Sequence, residues 1–435
     1  MDAHVTTQTL PLTHNVAGLM PSATVAINDL SNALQRQGRE VFKLGLGQSP
    51  FPVPDCVVEA LRANAHQRDY LPTQGLWELR EAVARVHCRA FDIDAGPENV
   101  LIGPGSKELM FLLQLCYDGD ILIPSPSWVS YAPQARIVGH RIVRVDTSHA
   151  TKWFPTPETL EALCAADPRQ PRILILNHPS NPTGATLERD ELMALADVAR
   201  RYDVVVLSDE IYARTQHAGS HTSIVPIYPE GSILSSGLSK WCGAGGWRLG
   251  VFVFPDRLRW LQDAMAAVGT ETFTSTSAPI QYAAVRAFEE GPEIEEYLLL
   301  SRRILRAGGA LLYERLRAAG AEVVRPAGAF YLFPDFSAQR ERFAARGLST
   351  STELCRRLLE DTGVAVLPGS EFGRPEQELT MRIAYVDFDG QEALEASRAI
   401  PQGSELDAAF IRAHCSRVVE AMDRLCAWMD RGPAA

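Results

Sequence analysis

The sequence has no excess of positive charge. Its 42 lysines and arginines face 53 aspartates and glutamates, a net charge of −11. An acidic surface argues against nucleic acid as the main partner. Long hydrophobic runs are also missing. No apolar stretch approaches the roughly 18 residues that a membrane helix requires, so no membrane partner is expected. The opening residues carry no basic segment ahead of an apolar one, so no secretory leader is expected. Paired-cysteine motifs are absent: Cys56, Cys88, Cys116, Cys164, Cys242, Cys355, Cys415 and Cys426 are scattered, with no C-x-x-C. That pattern excludes a disulfide framework and suits reduced thiols in a cytoplasmic protein. Histidines with metal-ligand spacing are lacking too. The closest pair, His217 and His221 in HAGSH, has no further ligand near it in sequence, so no metal is expected. Neither a low-complexity tract nor an internal repeat is found.

What is there is an ordinary globular balance, 46% hydrophobic and 22% charged, over 435 residues. That length suggests two domains. Short apolar runs alternate with amphipathic stretches through the middle of the chain. NVLIG (99–103), DILIP (120–124), RIVRV (141–145), RILILN (172–177), VVVLSDE (204–210), SILSSG (232–237) and LGVFVF (249–254) read as strands. SKELMFLLQLCY (106–117) and LERDELMALADVARRY (187–202) read as helices. Strands alternating with helices predict an α/β domain with a mostly parallel sheet covered on both faces. After about residue 255 the pattern changes. A long helix over about 292–319 is predicted, then short strands at 321–325, 329–333, 364–368 and 379–385, and a closing helix over about 405–430. This reads as a smaller α+β module.

Three stretches carry chemistry. In SSGLSKWCGAGGWRLG (235–250), Lys240 follows a strand directly, with serines before it and glycines and Arg248 after it. Small residues let a backbone approach a ligand, and hydroxyls with an arginine suit a phosphate. Desolvated beside Trp241 and Trp247, Lys240 would be partly neutral, as a nucleophilic amine must be; a surface lysine beside a turn is the plainer reading. LILNHPSNPTGA (174–185) ends a strand in a polar turn, where open α/β sheets bind ligands. In VVVLSDEIYA (204–213), Asp209 stands at the end of a buried strand, placed either to pair with a protonated ring nitrogen or as a solvated loop acid.

These stretches, in this order, resemble pyridoxal 5′-phosphate aminotransferases of fold type I, class I/II, and within them the aspartate aminotransferase-like branch found in bacteria. The resemblance runs from PSATVAIND (21–29) to MRIAYV (381–386), and the joint pattern NPTG, SDEIY and S-K-x7-R-x-G is specific. It implies a large domain with a seven-stranded sheet over 51–295. The small domain would be formed by 1–50 and 296–435. Lys240 is implied as Schiff-base lysine and proton shuttle, Asp209 as partner of the pyridine nitrogen, and Tyr212 and Asn181 as partners of the cofactor O3′. Trp128 would stack on the ring; on its chemistry alone it also suits a plain core. Ser106, Lys107, Ser239 and Arg248 would hold the phosphate, the first two at the start of a helix. GPGSKE (103–108) lacks the full G-x-G-x-x-G of dinucleotide binders. Tyr70 matches a tyrosine that reaches the neighbouring subunit's phosphate, implying a homodimer with shared sites.

For the substrate, Arg382 matches the arginine that grips the α-carboxylate, Gly47 a backbone contact to the same group, and Asn181 lies beside them. Without the resemblance, Arg382 reads as a strand-edge residue in a surface ion pair. Relatives commonly read G-x-P-D-F where this chain has Gly47-Gln48-Ser49-Pro50-Phe51. Dicarboxylate-specific relatives place a second cation on the 105–117 helix; here that helix carries only Lys107, so a dedicated aspartate enzyme is not expected. Phe51, Tyr131, Phe273 and Phe330 are candidates for an apolar wall or for core. Segment 396–410 reads as an inserted loop, on the surface or at the substrate entrance. The implied reaction is ping-pong transfer of an amino group from an L-amino acid to a 2-oxo acid. A lyase, cyclase or oxidase on the same cofactor is the alternative, because the scaffold does not choose among them.

Overall fold

The computed structural model describes residues 12–431. Seven strands form the central sheet in the spatial order Val100–Gly103, Gly250–Val253, Ser232–Gly237, Val205–Asp209, Arg172–Asn177, Asp120–Ser125, Ile142–Asp146. Gly250–Val253 runs antiparallel to both its neighbours, and every other pairing is parallel. The expected α/β sheet is therefore present, and alternation along its strands explains the layers. Ile121, Ile123, Ile173, Ile175, Val205 and Leu207 face one side, under helices Ser106–Cys116 and Arg259–Thr272. Leu122, Leu174, Leu176 and Val206 face the other, under helices Pro157–Ala165 and Arg189–Arg201. A strand buried on both sides must be apolar at every position, which is why RILIL and VVL read as continuous runs.

Helix Pro292–Ala318 has 27 residues and leads into a smaller module. There Met381–Ala384 pairs antiparallel with Leu367–Pro368 on one side and Tyr331–Leu332 on the other. Phe42 pairs with Val364 and Lys43 with Ala365, joining the N-terminal segment to this module. The predicted strand at 321–325 is reduced to a single bridge between Glu322 and Asp335. Pro326 offers no backbone donor there, and Ala329 turns the chain at φ 55°. The predicted closing helix is two helices, Ala408–His414 and Ser416–Met429, broken at Cys415.

Segment 396–410 is not a free loop. It holds the end of helix Gly390–Arg398 and the start of Ala408–His414. Between them, Arg303 donates to the carbonyls of Ser397, Ile400, Pro401 and Ser404. None of its residues lines the large cavity described next. All eight cysteines are free and none is exposed. Among the described residues, no helix is long and apolar enough to cross a membrane.

Candidate active site

A cavity of about 470 Å³ lies where the parallel strands end. The parallel sheet aims the C-terminal ends of its strands at this point, so residues far apart in sequence converge there. Asn177 and Asp209 close two adjacent strands and face each other in register. Asn177 Nδ2 donates to the Asp209 carbonyl at 2.8 Å, and the Asn181 amide donates to Asn177 Oδ1 at 2.7 Å. This pair of bonds fixes the NPTG turn against the strand that bears the acid.

The Asp209 carboxylate is buried. Tyr131 Oη donates to its Oδ2 at 2.5 Å, and the Ile211 amide and Ser235 hydroxyl approach Oδ1 at 3.4 and 3.5 Å. Burial lifts its pKa to about 6 against the pull of these donors and of Lys240. Lys240 follows the Ser232–Gly237 strand and is partly buried. Its Nζ donates to the Gly47 carbonyl at 2.6 Å and stands 5.8 Å from the centre of the Tyr212 ring. Desolvation, and next the charge of Arg382, lower its pKa to about 8. Tyr212 Oη meets Tyr331 Oη at 2.7 Å, and burial raises the Tyr212 phenol well above its usual range.

Around one end of the cavity stand Ser106, Lys107, Ser239 and Arg248. Ser106 and Lys107 open an 11-residue helix, whose first amides have no partner within the helix. The backbone is stripped of side chains where it must be approached. A Cβ on Gly105, which has φ +92°, would sit 2.1 Å from Arg248 Nη2, and one on Gly250 would sit 2.0 Å from the Ser106 nitrogen. Trp128 forms the adjoining wall, edge to face with Tyr131, and Lys107 Nζ lies 5.1 Å from its ring centre.

Arg382 enters from the smaller module. It sits on the middle strand of three and is 1% exposed, so it is not the surface ion-paired residue that position alone suggested. Nη1 donates to Asn181 Oδ1 at 3.1 Å and Nη2 to the Gly45 carbonyl, while Nε has no partner. Tyr331 and Phe372 flank the guanidinium, each ring centre 4.9 Å away. Among the described residues it makes no salt bridge, so a buried cation faces the cavity with only neutral acceptors.

Of the twelve residues singled out from sequence, all but Tyr70 line this one cavity. Tyr70 is 88% exposed and lies outside it. For the four residues that suited either an apolar wall or the core, the structure chooses. Only Tyr131 of the four lines the cavity, and its role is to hold Asp209. Phe51 packs against Tyr297 and Phe388 instead, and Phe330 is core. Tyr331 was missed: adjacent strand residues point oppositely, and it is Tyr331 that faces the cavity. A compositional signal for the site also went unread. The chain has only four lysines, Lys43, Lys107, Lys152 and Lys240, and two of them line the cavity. His217 and His221 part company, since His217 is held by the carbonyls of Pro326 and Ala329.

The residues present fit pyridoxal phosphate. An anion cradle, a buried carboxylate with no cation paired to it by a salt bridge among the described residues and an amine of lowered pKa share one cavity, and these are the complements of a phosphate, a ring N–H and an aldehyde. Sheet and site together define a fold type I pyridoxal-phosphate enzyme. Comparison with known proteins narrows this further. The profile of the family "Aminotransferase class I and II" matches residues 39–400. The aspartate aminotransferase of Geobacillus stearothermophilus is 34% identical over 86% of this chain and 94% of its own length. The aspartate/prephenate aminotransferase of Thermus thermophilus is 36% identical over 83% of this chain and 91% of its own. The solved structure of aspartate aminotransferase from Thermus thermophilus with maleate superposes with a TM-score of 0.81 at 30% identity, covering 96% of this chain and 99% of that one. The chain belongs to the class I and II aminotransferase family. It is a pyridoxal-phosphate-dependent transaminase that moves an amino group between amino acids and 2-oxo acids.

Proposed function

We propose the following division of labour for that transfer, carried above all by the convergence of Lys240, Asp209 and Arg382 on one cavity. Pyridoxal phosphate, when bound, supplies an aldehyde that accepts the amino group and a ring that withdraws electrons. Lys240 Nζ anchors the cofactor and, once released from it, takes a proton from the substrate Cα and returns it elsewhere. Asp209 keeps a proton on the ring nitrogen, with Tyr131 fixing its orientation. Tyr212 and Asn181 donate to the ring oxygen. Ser106, Lys107, Ser239 and Arg248 hold the phosphate, and Trp128 covers one face of the ring. Arg382 binds the α-carboxylate with its two-pronged fork, beside Asn181 and the Gly47 backbone.

The large domain over 51–295 holds the cofactor, and 1–50 with 296–435 make up the small domain, which brings Arg382 to the substrate. The exposed Tyr70 reaches the phosphate of a second subunit, so the working unit is a homodimer with shared sites. Free, unexposed cysteines suit a cytoplasmic enzyme.

The test is the absorption spectrum of the holoenzyme, with a panel of L-amino acids added without any oxo acid. Relatives named for aspartate and prephenate make acidic and aromatic donors the first to try. Transamination converts the visible band of the aldehyde form to the near-ultraviolet band of pyridoxamine phosphate and releases no ammonia. A persistent visible band with ammonia release would establish the lyase or oxidase alternative instead. In Lys240→Ala, no covalent adduct reducible by borohydride should form, and turnover should be lost.

A further inference from the structure

The strand ends that build the active site also build a second one behind it. Asn177 and Asp209 line the cofactor cavity, but the residues that follow them turn away. His178 and Glu210 meet His221, and one ligand atom from each of the three lies within 4.8 Å of the other two. Glu210 and His221 also line a separate cavity of about 410 Å³.

The polar bonds in this cluster are incomplete in a telling way. Glu210 Oε1 accepts from the hydroxyls of Ser208 and Ser223 at 2.7 and 2.6 Å, and Oε2 faces His221 Nε2 at 2.9 Å. His178 is 0% exposed, yet neither of its ring nitrogens has a partner. His221 Nδ1 is likewise buried and unpartnered. The two imidazole rings lie 4.7 Å apart, centre to centre. A buried ring nitrogen without a hydrogen bond costs about 1–3 kcal/mol; an ion takes one nitrogen from each ring, so it relieves at least one of the three, on the fully buried His178.

We propose that His178, Glu210 and His221 bind a divalent transition-metal ion of the Zn²⁺ class, with water from the second cavity in the remaining position. Two imidazoles and a carboxylate form a ligand set that suits Zn²⁺ and disfavours Mg²⁺. Metal–ligand bonds of about 2.0–2.1 Å place ligand atoms roughly 3.3 Å apart; side-chain rotations of about 1 Å close the present spacing. The serine hydroxyls orient the carboxylate, as outer partners of metal ligands do. The ion stands behind the strand ends bearing Asn177 and Asp209, so it braces the floor of the cofactor cavity without entering it.

Untagged holoenzyme is stripped with a chelator and titrated with ZnCl2 by calorimetry. One Zn²⁺ should bind per chain at micromolar concentration or tighter, and millimolar Mg²⁺ should not compete. His178→Gln should weaken Zn²⁺ binding by at least about 100-fold while keeping the visible cofactor band, which shows that the fold and the active site survive. Should that variant fail to fold, Co²⁺-loaded wild type decides the matter. A tetrahedral Co²⁺ band between the cofactor bands and the red supports the site, and its absence overturns it. Failure of the wild type to take up Zn²⁺, or unchanged uptake in a folded His178→Gln, would also overturn it. None of these readouts depends on transaminase activity.

Discussion

With the cofactor removed, Lys240 should be by far the most reactive of the four lysines near neutral pH. An acylating reagent attacks only the neutral amine, and an ordinary lysine that titrates near 10.5 is neutral in about one molecule in 3,000 at pH 7. Lys240 titrates at about 8. At pH 7 it is then neutral in about one molecule in 11, a gain of roughly 300-fold. Desolvation is the largest cause and the Arg382 charge the next, with Asp209 opposing both. The sign follows directly: enclosure and a neighbouring cation both disfavour the protonated form, so the proton leaves at lower pH. The assay is trace acetylation from pH 6 to 10, read by peptide mass spectrometry, and with four lysines in the chain each is resolved. Labelling of Lys240 should rise tenfold per pH unit to about pH 7.5 and level off above about pH 8.5. In Arg382→Met the plateau should move to higher pH. Labelling that still climbs tenfold between pH 9 and 10 in the wild type would refute the reasoning.

Other outcomes follow from the same geometry. Arg382→Ala should lower kcat/KM by at least about 100-fold for every α-amino acid, since two charge-assisted hydrogen bonds are lost; a loss confined to some donors would mean that Arg382 reads the side chain. Gly105→Ala places a methyl 2.1 Å from Arg248 Nη2 at a backbone angle unfavourable to alanine. It should weaken cofactor retention by about 10-fold through the displaced arginine, measured by fluorescence during dialysis; unchanged retention would remove Arg248 from the phosphate site. Tyr70→Phe should weaken retention in the assembled dimer. If sedimentation shows the same weakening in dilute monomer, the residue does not act across subunits.

The sheet and the chief site residues were legible because both leave local signatures. Fully buried parallel strands must be apolar throughout, and NPTG, SDEIY and the lysine loop are contiguous. The smaller module was less legible. Its strands are two to four residues long, and only tertiary contact makes them strands. Cys415 breaks a helix whose apolar pattern continues across it. Cross-sheet partnerships left the weakest trace. Tyr131 suited an apolar wall or the core equally, because its hydroxyl partner, Asp209, comes from a distant strand. His178 comes near His221 through the adjacent strand end, a proximity that spacing along the chain does not show.

Arg382 has a consequence for how affinity is divided between heat and disorder. Its guanidinium is held between two rings, with one prong on Asn181 and the other on Gly45. These contacts come from the turn of the large domain, the N-terminal segment and the smaller module. A free arginine surrenders about 2 kcal/mol of rotamer entropy when it is fixed; here that ordering accompanies folding, before any carboxylate arrives. Substrate capture is thus the addition of a carboxylate to the unused donors of a stationary fork, Nε–H among them. Its entropic cost on the protein side should be small, because the side chain is already ordered. The selectivity should be geometric: a planar, two-oxygen anion can satisfy both prongs at once, and a spherical anion of the same charge cannot.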